Sequence, residues 1–520
     1  MARLHEYQAK ARLRAHGIET PRGEVASSPQ EAEAIARGIG APVVVKIQAW
    51  TTGRKAMGGV VFAETPGVAR EAAERLLGMR VGAFPVTQVL VEEQVAIRGE
   101  LFVSLMIDDA ARAPALLVAA GGGTGIEERA ESVHQLACDV MGGPDAKAVR
   151  AALAEMNEDD DMTGRLGEAI SKIYETARAC EARSLEVNPL AVLEDGRVVA
   201  ADCRMTVDDY AVFRHPELGI EIAREMDHPP TALEKVAYHV EQADHRGTFY
   251  FAQLNTDADE GTKGLIGFHG AGGGGSMMSM DAITNVGYTI ANFTDTSGNP
   301  SASKVYRAAR IILSQPGLVG YFGSGSGVAS QEQFWSAYGL AKAFWEVGLA
   351  IPAVIRLGGN SEDRAVDILQ RACEGLGAMV EGYKKDDSPQ MIAERFDALV
   401  QSAGGKTHDV RARRVPEYVG RADAFSFPIT GGTVWIDTSR WGEYGGEVVE
   451  QSFGLLMDDG GKPALAVDQE NVAGKDSELI ACEVECRMTG ADVVFVDLEI
   501  PGLDGVTTEV TEGHRGGRNG

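Results

Sequence analysis

With 520 residues, 44% of them hydrophobic, the chain can bury large cores, and its length suggests roughly three or four domains. A formal net charge of −27 argues against nucleic acid or an anionic membrane as a partner, although it is compatible with a local basic phosphate site. No apolar run approaches the roughly 20 residues that span a bilayer, and the N-terminus lacks the core of a signal peptide, so we expect a cytoplasmic protein.

The six cysteines are scattered and predict no metal or redox motif. Cys482 and Cys486 are the closest pair, and their C-x-x-x-C spacing matches no common zinc or redox pattern. We expect buried, reduced thiols.

The N-terminal segment predicts two helices and a buried strand. Leu4 to Ile18 suits a short amphipathic helix that ends at Gly17, and Ser28 caps the next helix with Glu31 three residues on. Pro42–Gln48 predicts a buried strand interrupted by Lys46. Because a buried lysine is costly unless its charge is paired, Lys46 is predicted to face an anion, with an edge-strand lysine as the alternative.

A glycine-rich loop follows that strand, from Trp50 to Gly59. Its glycines would let backbone amides approach a phosphate closely, while Arg54 and Lys55 supply positive charge. On its own, this loop is not specific for nucleotides.

Acidic residues flank the next two predicted strands. Glu92 lies at the end of Val89–Val95, and Glu100 opens Leu101–Met106. In a nucleotide cleft such acids accept hydrogen bonds from ribose or adenine, although surface glutamates without that role are commoner. A second glycine-rich turn spans Gly121–Glu128, and helical segments are predicted from there to Ala182.

Two apolar runs, Ser184–Leu193 and Ala200–Cys203, predict a hairpin around the turn Glu194-Asp195-Gly196-Arg197. The pairing would bring Glu186, Asn188 and Asp202 together. These side chains offer only oxygen ligands, which Mg²⁺ prefers. The alternative is a hairpin whose polar residues line its solvated face.

A domain boundary is predicted between Pro216 and Glu234, where His228-Pro-Pro230 forms a stiff connector. Beyond it, Gly264–Ser276 predicts a strand and a glycine turn before a helix over Met277–Val286, an arrangement suited to anions. Strands and helices then alternate, which indicates a parallel sheet covered on both faces. The predicted elements are helix Val305–Leu313, strand Leu318–Gly323, helix Gln331–Val347 and strand Pro352–Leu357, with Phe334, Trp335, Tyr338 and Phe344 as core aromatics.

The C-terminal part follows a basic connector, Lys406–Arg421, and predicts a small β-rich or α+β appendage over 422–512 with a disordered tail over 513–520. Its acidic side chains are predicted to be solvated rather than catalytic: Asp437, Glu443, Glu447 and Glu450. Its predicted strands are Thr433–Asp437, Val448–Met457, Ala464–Val467, Leu479–Arg487 and Val493–Ile500.

Several of these segments, in this order, resemble the ATP-grasp β subunit of succinyl-CoA synthetase up to about Gly404. They are His5–Lys10, Val44–Lys46, the glycine-rich loop, Val91-Glu92, and Glu186–Leu190 with Asp202. The resemblance implies an α/β chain: an ATP-grasp domain (α+β) over 1–228, then a flavodoxin-like parallel-sheet CoA-ligase domain over 240–403. The β-rich appendage lies outside the resemblance.

The resemblance also implies roles for individual residues. Asn188 and Asp202 fall at the Mg²⁺ positions, and Glu186 faces the phosphorylated histidine of a partner α subunit. The loop reads TGRKAMGG where the family has GGRGKAGG, so it keeps its length but loses the glycine between the two cations. The nucleotide positions correspond to Lys46, Gly53, Arg54, Lys55, Glu92, Val95 and Glu100.

The segments that contact the carboxylate substrate in the family are all altered here, so succinate is not assumed. His269 replaces an asparagine in a glycine run two residues longer than the family's. We predict substrate contacts from His269, Ser324, Gly325 and Ser326. For His269 two alternatives stay open, phosphoryl acceptance and a structural role.

The resemblance therefore implies an ADP-forming carboxylic acid–CoA ligase that uses Mg²⁺, ATP and CoA. It would act through an acyl phosphate and a phosphohistidine on a partner α subunit, as an αβ heterodimer or α2β2. Two alternatives are an ATP-grasp carboxylate–amine ligase and a non-catalytic assembly subunit.

Overall fold

The computed structural model divides the chain into two compact units, Met1–Pro230 and Thr231–Gly520. It describes residues 1–122, 132–156, 159–243, 247–325, 329–410, 412–422, 424–429, 431–436, 454–457, 463–466 and 494–506. Across these ranges, every helix is too short or too polar to cross a bilayer. Both units mix helices with sheets, which confirms the predicted α/β class.

The first unit contains two large sheets, a two-stranded ribbon and the helices that cover the sheets. Its strands are β1 Ala2–Arg3, β2 Gly23–Ala26, β3 Val43–Ile47, β4 Val60–Ala63, β5 Arg80–Val81, β6 Phe84–Pro85, β7 Val89–Glu93, β8 Ile97–Asp108, β9 Ala113–Ala120, β10 His134–Asp139, β11 Gly143–Pro144, β12 Ala182–Leu193, β13 Val198–Ala200 and β14 Cys203–Val207. Its helices are α1 Glu6–Ala15, α2 Pro29–Ile39, α3 Pro66–Leu77, α4 Ala146–Glu155 and α5 Asp160–Ala179.

These elements form two lobes, each with its own core. The small lobe is the sheet β2-β7-β3-β4 covered by α2 and α3, and the large lobe is the sheet β1-β14-β12-β8-β9-β10-β11, with β13 on β12, covered by α1, α4 and α5. Helix α2 begins at the predicted cap, because the Ser28 side chain accepts a hydrogen bond from the Glu31 amide. The predicted all-helical stretch before Ala182 is wrong, since β10 and β11 extend the sheet before α4 begins.

The predicted hairpin is present at the centre of the large sheet. Strand β12 pairs antiparallel with β13 and β14, and Gly196 takes the left-handed conformation (φ +85°) in the turn. The register places Glu186 opposite Arg204 on one side and opposite Ser104 on the other.

The second unit is built on a mostly parallel sheet. Its strands are β15 Tyr250–Gln253, β16 Leu265–Ala271, β17 Thr289–Ile290, β18 Asn292–Asp295, β19 Leu318–Gly325, β20 Ala329–Glu332, β21 Ala353–Arg356, β22 Gly359–Asn360, β23 Val380–Tyr383, β24 Phe425–Ile429, β25 Gly432–Ile436, β26 Gly454–Met457, β27 Pro463–Ala466 and β28 Val494–Leu498. Its helices are α6 Ala232–Ala243, α7 Gly273–Asn285, α8 Ala302–Ile312, α9 Gln333–Val347, α10 Glu362–Ala372 and α11 Pro389–Ser402.

The sheet order β15-β18-β16-β19-β21-β23 confirms the predicted doubly covered architecture. All its neighbours are parallel except β15, which is antiparallel at the edge. Helices α6, α8, α9 and α10 pack on one face, and α7 and α11 on the other. Helix α7 starts at Gly273 rather than at the predicted Met277, because Gly272 (φ +99°) makes the turn and the next glycines are helical.

The described part of the C-terminal segment does not form a separate core. Strands β24, β25 and β28 make a small antiparallel sheet, and Val496 and Leu498 are buried in the same cluster as α8 and α9. The predicted strand Leu479–Arg487, the tail, and Asp437, Glu443, Glu447 and Glu450 lie outside the described residues. Cys138, Cys180, Cys203 and Cys373 are buried and unpaired.

Candidate functional site

Six charged side chains meet where the two lobes of the first unit face each other. Glu6 binds three cations: Lys10 Nζ at 2.7 Å, Lys46 Nζ at 3.0 Å and Arg54 Nη1 at 2.7 Å. Glu92 binds Lys10 at 2.7 Å and also binds Lys46. We call Glu6, Lys10, Lys46, Arg54, Glu92 and Asp202 the Glu6 network. Its three carboxylates and three cations cancel in charge.

Arg54 closes the network on the side of the hairpin. Its Nη2 donates to both carboxylate oxygens of Asp202, at 2.8 and 2.7 Å, while Nη1 contacts Glu6 and the carbonyl of Ile47 at 3.3 Å. A single guanidinium nitrogen therefore contacts both oxygens of Asp202, in a charge-assisted contact. The carboxylate predicted to bind metal is therefore already paired with a cation.

The members of the network keep one another in their charged forms although they are buried. Burial alone would raise the pKa of Glu6, but Lys10, Lys46 and Arg54 outweigh it and hold that pKa well below its usual range. Burial alone would lower the pKa of Lys46, but Glu6 and Glu92 raise it. The Lys46 side chain is 12% exposed and that of Asp202 30%, so the network opens to solvent at these two residues.

Local structure explains how the members meet. Glu6 and Lys10 lie one turn apart on α1 and therefore share a face. Lys46 on β3 and Glu92 on β7 are diagonal neighbours, since the register pairs Val44 with Glu92. Lys10 and Lys46 also donate to the carbonyl of Ala201, at 2.8 and 3.0 Å, next to Asp202.

Oxygen donors suited to Mg²⁺ cluster beside Asp202. The amide of Asn188 donates to the carbonyl of Asp202 at 3.3 Å, and Asn188 Nδ2 donates to Glu186 Oε1 at 3.2 Å. A Cβ atom on Gly122 would lie 3.0 Å from Glu100 Oε2 and 3.3 Å from Asn188 Oδ1, so these oxygens share one corner. Within the described ranges, His, Cys, Asp and Glu form no group of three that could hold a metal. The oxygens of Asn188 and Asp202 instead fit Mg²⁺ that is held by one or two protein ligands and completed by phosphate oxygens and water.

The remaining predicted nucleotide residues lie in a small apolar cluster and in the glycine-rich loop. Val95 packs against Ala191, Leu193 and Val199 in a small apolar cluster. Gly53 adopts φ +65° with open space around it, as a loop that approaches a ligand requires. Lys55 is exposed in the same loop.

A cavity of about 320 Å³ lies beside the network, with Glu6 and Arg54 in its lining. One wall is the large sheet, which contributes Ser104, Ser184, Glu186, Arg204 and Thr206. The opposite wall is the start of α1 and the loop over 48–54, including Trp50, whose Nε1 is buried with no hydrogen-bond partner among the described residues. Arg204 Nη2 donates to the carbonyl of Thr51 at 2.7 Å and ties the loop to the sheet.

The sequence predicted most of this site but not its counter-charges. Lys46, Arg54, Glu92, Asn188 and Asp202 come together, although Lys46 faces internal carboxylates in this structure. Glu6, Lys10 and Arg204 were not predicted as site residues. The i, i+4 spacing of Glu6 and Lys10 at the start of α1 was the available signal.

In the second unit, His269 is held by two hydrogen bonds. Its Nδ1 lies 2.5 Å from the Tyr321 hydroxyl and its Nε2 2.9 Å from the Thr296 hydroxyl, and burial lowers the pKa of the ring to about 4. The ring is 7% exposed. Since both ring nitrogens are engaged and the ring is buried, the geometry favours a structural role over phosphoryl acceptance.

Ser324 and Gly325 end β19 beside α7. The Ser324 hydroxyl is buried 2.7 Å from that of Ser279 on α7. Asp295 accepts from the Gly272 amide at 3.0 Å at the start of the same helix, and the Ser276 hydroxyl is buried there with no partner among the described residues. Ser326 lies outside the described residues.

Comparisons with known proteins agree with this architecture. A model of the ATP-grasp domain family matches residues 3–192. The GDP-forming succinate–CoA ligase β subunit of Thermus thermophilus is 34% identical over 372 residues, which cover 71% of this chain and 93% of that protein. An ADP-forming β subunit of Archaeoglobus fulgidus is 34% identical over 384 residues, covering 73% of this chain and 95% of that protein.

One solved structure shares the fold over most of the chain. ATP citrate lyase from Methanothrix soehngenii, in complex with citrate and coenzyme A, gives a TM-score of 0.56 at 19% identity, covering 76% of this chain and 99% of that chain. At this identity, the likeness shows the fold alone.

Proposed function

The chain belongs to the succinate–CoA ligase β-subunit family, and from that premise we propose that it is the ATP-grasp subunit of a carboxylic acid–CoA ligase. The reaction converts a carboxylate, CoA and a nucleoside triphosphate into acyl-CoA, the nucleoside diphosphate and phosphate. The observation that carries the proposal is the meeting of Lys46 and Arg54 with Asn188 and Asp202 at one place between the lobes.

Phosphoryl transfer suits this set of residues. The reaction needs mainly positioning and charge neutralisation. Lys46 and Arg54 would bind phosphate oxygens, and Asn188 and Asp202 would hold Mg²⁺, which supplies further neutralising charge when bound. Gly53, Lys55, Glu92, Val95 and Glu100 would bind the rest of the nucleotide.

The cavity beside Glu186 offers a route for the phosphoryl carrier. A partner α subunit would present its phosphohistidine there and would also bind most of the CoA. Glu186 lines the cavity and would accept a hydrogen bond from the imidazole, which fixes its tautomer and orientation. The assembly would be an αβ heterodimer or α2β2.

The acid would bind at the carboxyl ends of β16 and β19, where parallel sheets bind ligands. Ser324, Gly325 and Ser326 would form one side of the pocket and the start of α7 the other. His269 would support the pocket through Tyr321 and Thr296. Because these segments differ from the family's pattern, we do not assign succinate.

The direct test is turnover of the purified chain with its partner α subunit. We expect release of nucleoside diphosphate that depends on CoA and on one acid from a panel of carboxylates. Release that depends on an amine instead of CoA would identify a carboxylate–amine ligase. Clear preference for succinate would show that the altered segments still form a succinate pocket, and it would leave the proposed reaction standing.

Two further versions of the same assay test whether the partner is needed and which nucleotide is preferred. Omitting the α subunit should abolish acyl-CoA formation, and ATP and GTP are supplied in parallel. No turnover with either nucleotide, in a complex shown to be assembled, would favour the non-catalytic subunit.

A further inference from the structure

We propose that Arg54 is an exchangeable cation at the metal carboxylate, so that Asp202 becomes available to a divalent metal only when a phosphate group draws Arg54 Nη2 away. This inference rests on the proposed function, because it takes Asp202 as the metal ligand. It assigns Arg54 a second task beyond binding phosphate, which is to keep the empty site neutral and to make metal binding depend on the nucleotide.

The first support is that Arg54 uses both oxygens of Asp202. The contacts of Nη2 at 2.8 and 2.7 Å leave neither carboxylate oxygen without a cationic partner. A divalent metal that approached Asp202 would have to share the carboxylate with Arg54, and the positive charge of the guanidinium would repel it. Metal and Arg54 therefore compete for one ligand.

The second support is the division of labour within the guanidinium. Nη1 is anchored at 2.7 Å to Glu6, which is 5% exposed, and at 3.3 Å to the carbonyl of Ile47. Nη2 faces the more open side of the network, where the Asp202 side chain is 30% exposed. Rotation about the anchored end would carry Nη2 from the carboxylate to an incoming phosphate without exposing Glu6.

The third support is the charge of the network. Its three carboxylates and three cations cancel, so a metal alone adds uncompensated positive charge to a buried site and a nucleotide alone adds negative charge. When both arrive together, Arg54 passes to the phosphate and the metal takes its place at Asp202. Linkage then requires each ligand to raise the affinity for the other.

The test uses Mn²⁺ alone, titrated into the full-length chain and followed by the electron paramagnetic resonance of free Mn²⁺. Arg54→Met should bind Mn²⁺ about ten-fold or more tightly than the wild type, because Asp202 loses its competing cation. The gain should disappear in Arg54→Met/Asp202→Asn. Arg75→Met removes one exposed positive charge, which contacts the carbonyl of Gly58 in the same loop, but leaves the Asp202 pair intact, and it should stay within about two-fold of the wild type.

Equal Mn²⁺ affinity in Arg54→Met and Arg75→Met would overturn the proposal. Because Arg54→Met leaves a network with one excess negative charge, its fold is checked by circular dichroism. If it does not fold, Arg54→Gln decides: its amide can still donate a hydrogen bond to Asp202 but carries no charge, so tighter Mn²⁺ binding than in the wild type supports the competition and unchanged binding contradicts it.

The two proposals can fail separately. Wild-type chain that binds Mg-ATP, with no Mn²⁺ gain in Arg54→Met, would leave the proposed function standing and remove the competition. Wild-type chain that binds neither Mg-ATP nor Mg-GTP would remove the proposed function. An Mn²⁺ gain that depends on Asp202 would still establish the competition in that case.

Discussion

The two units each bury a cluster of charges, and among the described residues the cluster of the first unit is the one that borders a cavity. In the second unit, Glu346 is fully buried and binds Lys342 at 2.9 Å, Arg310 at 3.0 Å and the Tyr306 hydroxyl at 2.6 Å. The Lys342 ammonium lies 4.0 Å from the centre of the Phe495 ring on β28. We call these residues the Glu346 cluster. It joins α8 and α9 to the C-terminal sheet.

The Glu6 network differs from it at its edges. Lys46 and Asp202 are partly exposed, oxygen donors lie beside them, and a glycine-rich loop and a cavity border the network. Buried ion pairs and shifted pKa values therefore occur in both units, and by themselves they do not mark a functional site. What separates the two is an open edge where a ligand can replace an internal partner.

The largest expected effect is on stability, at the Glu346 cluster. Glu346→Ala leaves Lys342 and Arg310 buried without their carboxylate and should destabilise the second unit by about 3–5 kcal/mol, because uncompensated buried charges are strongly unfavourable. Urea unfolding followed by tryptophan fluorescence measures the change. Glu374→Ala, at an exposed glutamate of the same unit, is the control, and equal midpoints for the two variants would contradict this reading.

The next effect concerns pH and His269. Its pKa falls from 6.5 to about 4 on burial, so the folded state prefers the neutral ring. The free energy of unfolding therefore has its full value above pH 6.5 and decreases by about 3 kcal/mol in all as the pH falls towards 4. His269→Asn should flatten the dependence of unfolding free energy on pH in this window. His239→Asn, at an exposed histidine of the same unit, should leave it unchanged, and an unaltered profile in His269→Asn would refute the assignment.

Asp202→Asn tests the open edge of the Glu6 network. The amide supplies no anionic oxygen to a metal, so Mg-nucleotide turnover should fall about a hundred-fold or more. The melting temperature is measured as a check of the fold, because buried Arg54 keeps Glu6 but loses the carboxylate of Asp202. Turnover is measured with the α subunit present, and full activity would show that the metal site is misplaced.

A smaller effect is expected at Glu186. Glu186→Gln keeps the size of the side chain but weakens its hold on the carrier imidazole, so phosphoryl transfer from the phosphorylated α subunit to nucleoside diphosphate should slow about ten-fold. Single-turnover quench experiments measure this step. Glu194→Gln, in the exposed hairpin turn, should transfer at the wild-type rate, and matching rates in both variants would exclude Glu186 from the step.

Local patterns predicted much of this structure. The turn around Gly196 predicted the hairpin, Ser28 predicted the cap of α2, and the alternation after Gly264 predicted the doubly covered sheet. These features depend on residues close together in the chain, and local preferences are enough to specify them.

The features that were missed depend on contacts between distant segments. Glu6 as the partner of Lys46 requires knowing that α1 faces β3, 40 residues away. Strand β10 is set by its pairing with β9 and with the short edge strand β11, not by its own composition. The C-terminal strand β28 joins the core of α8 and α9, although its composition suggested a separate appendage.

The proposed function requires a magnesium-bound nucleotide to bind at the open edge of the Glu6 network. Calorimetric titration of Mg-ATP and Mg-GTP into the full-length chain tests it, with Lys46→Met as the variant and Arg75→Met as the control. Arg75 donates to the carbonyl of Gly58 at the outer end of the loop and is exposed. We predict saturable binding by the wild type and by Arg75→Met that Lys46→Met loses. No heat of binding with either nucleotide, or equal binding by Lys46→Met, would contradict the account.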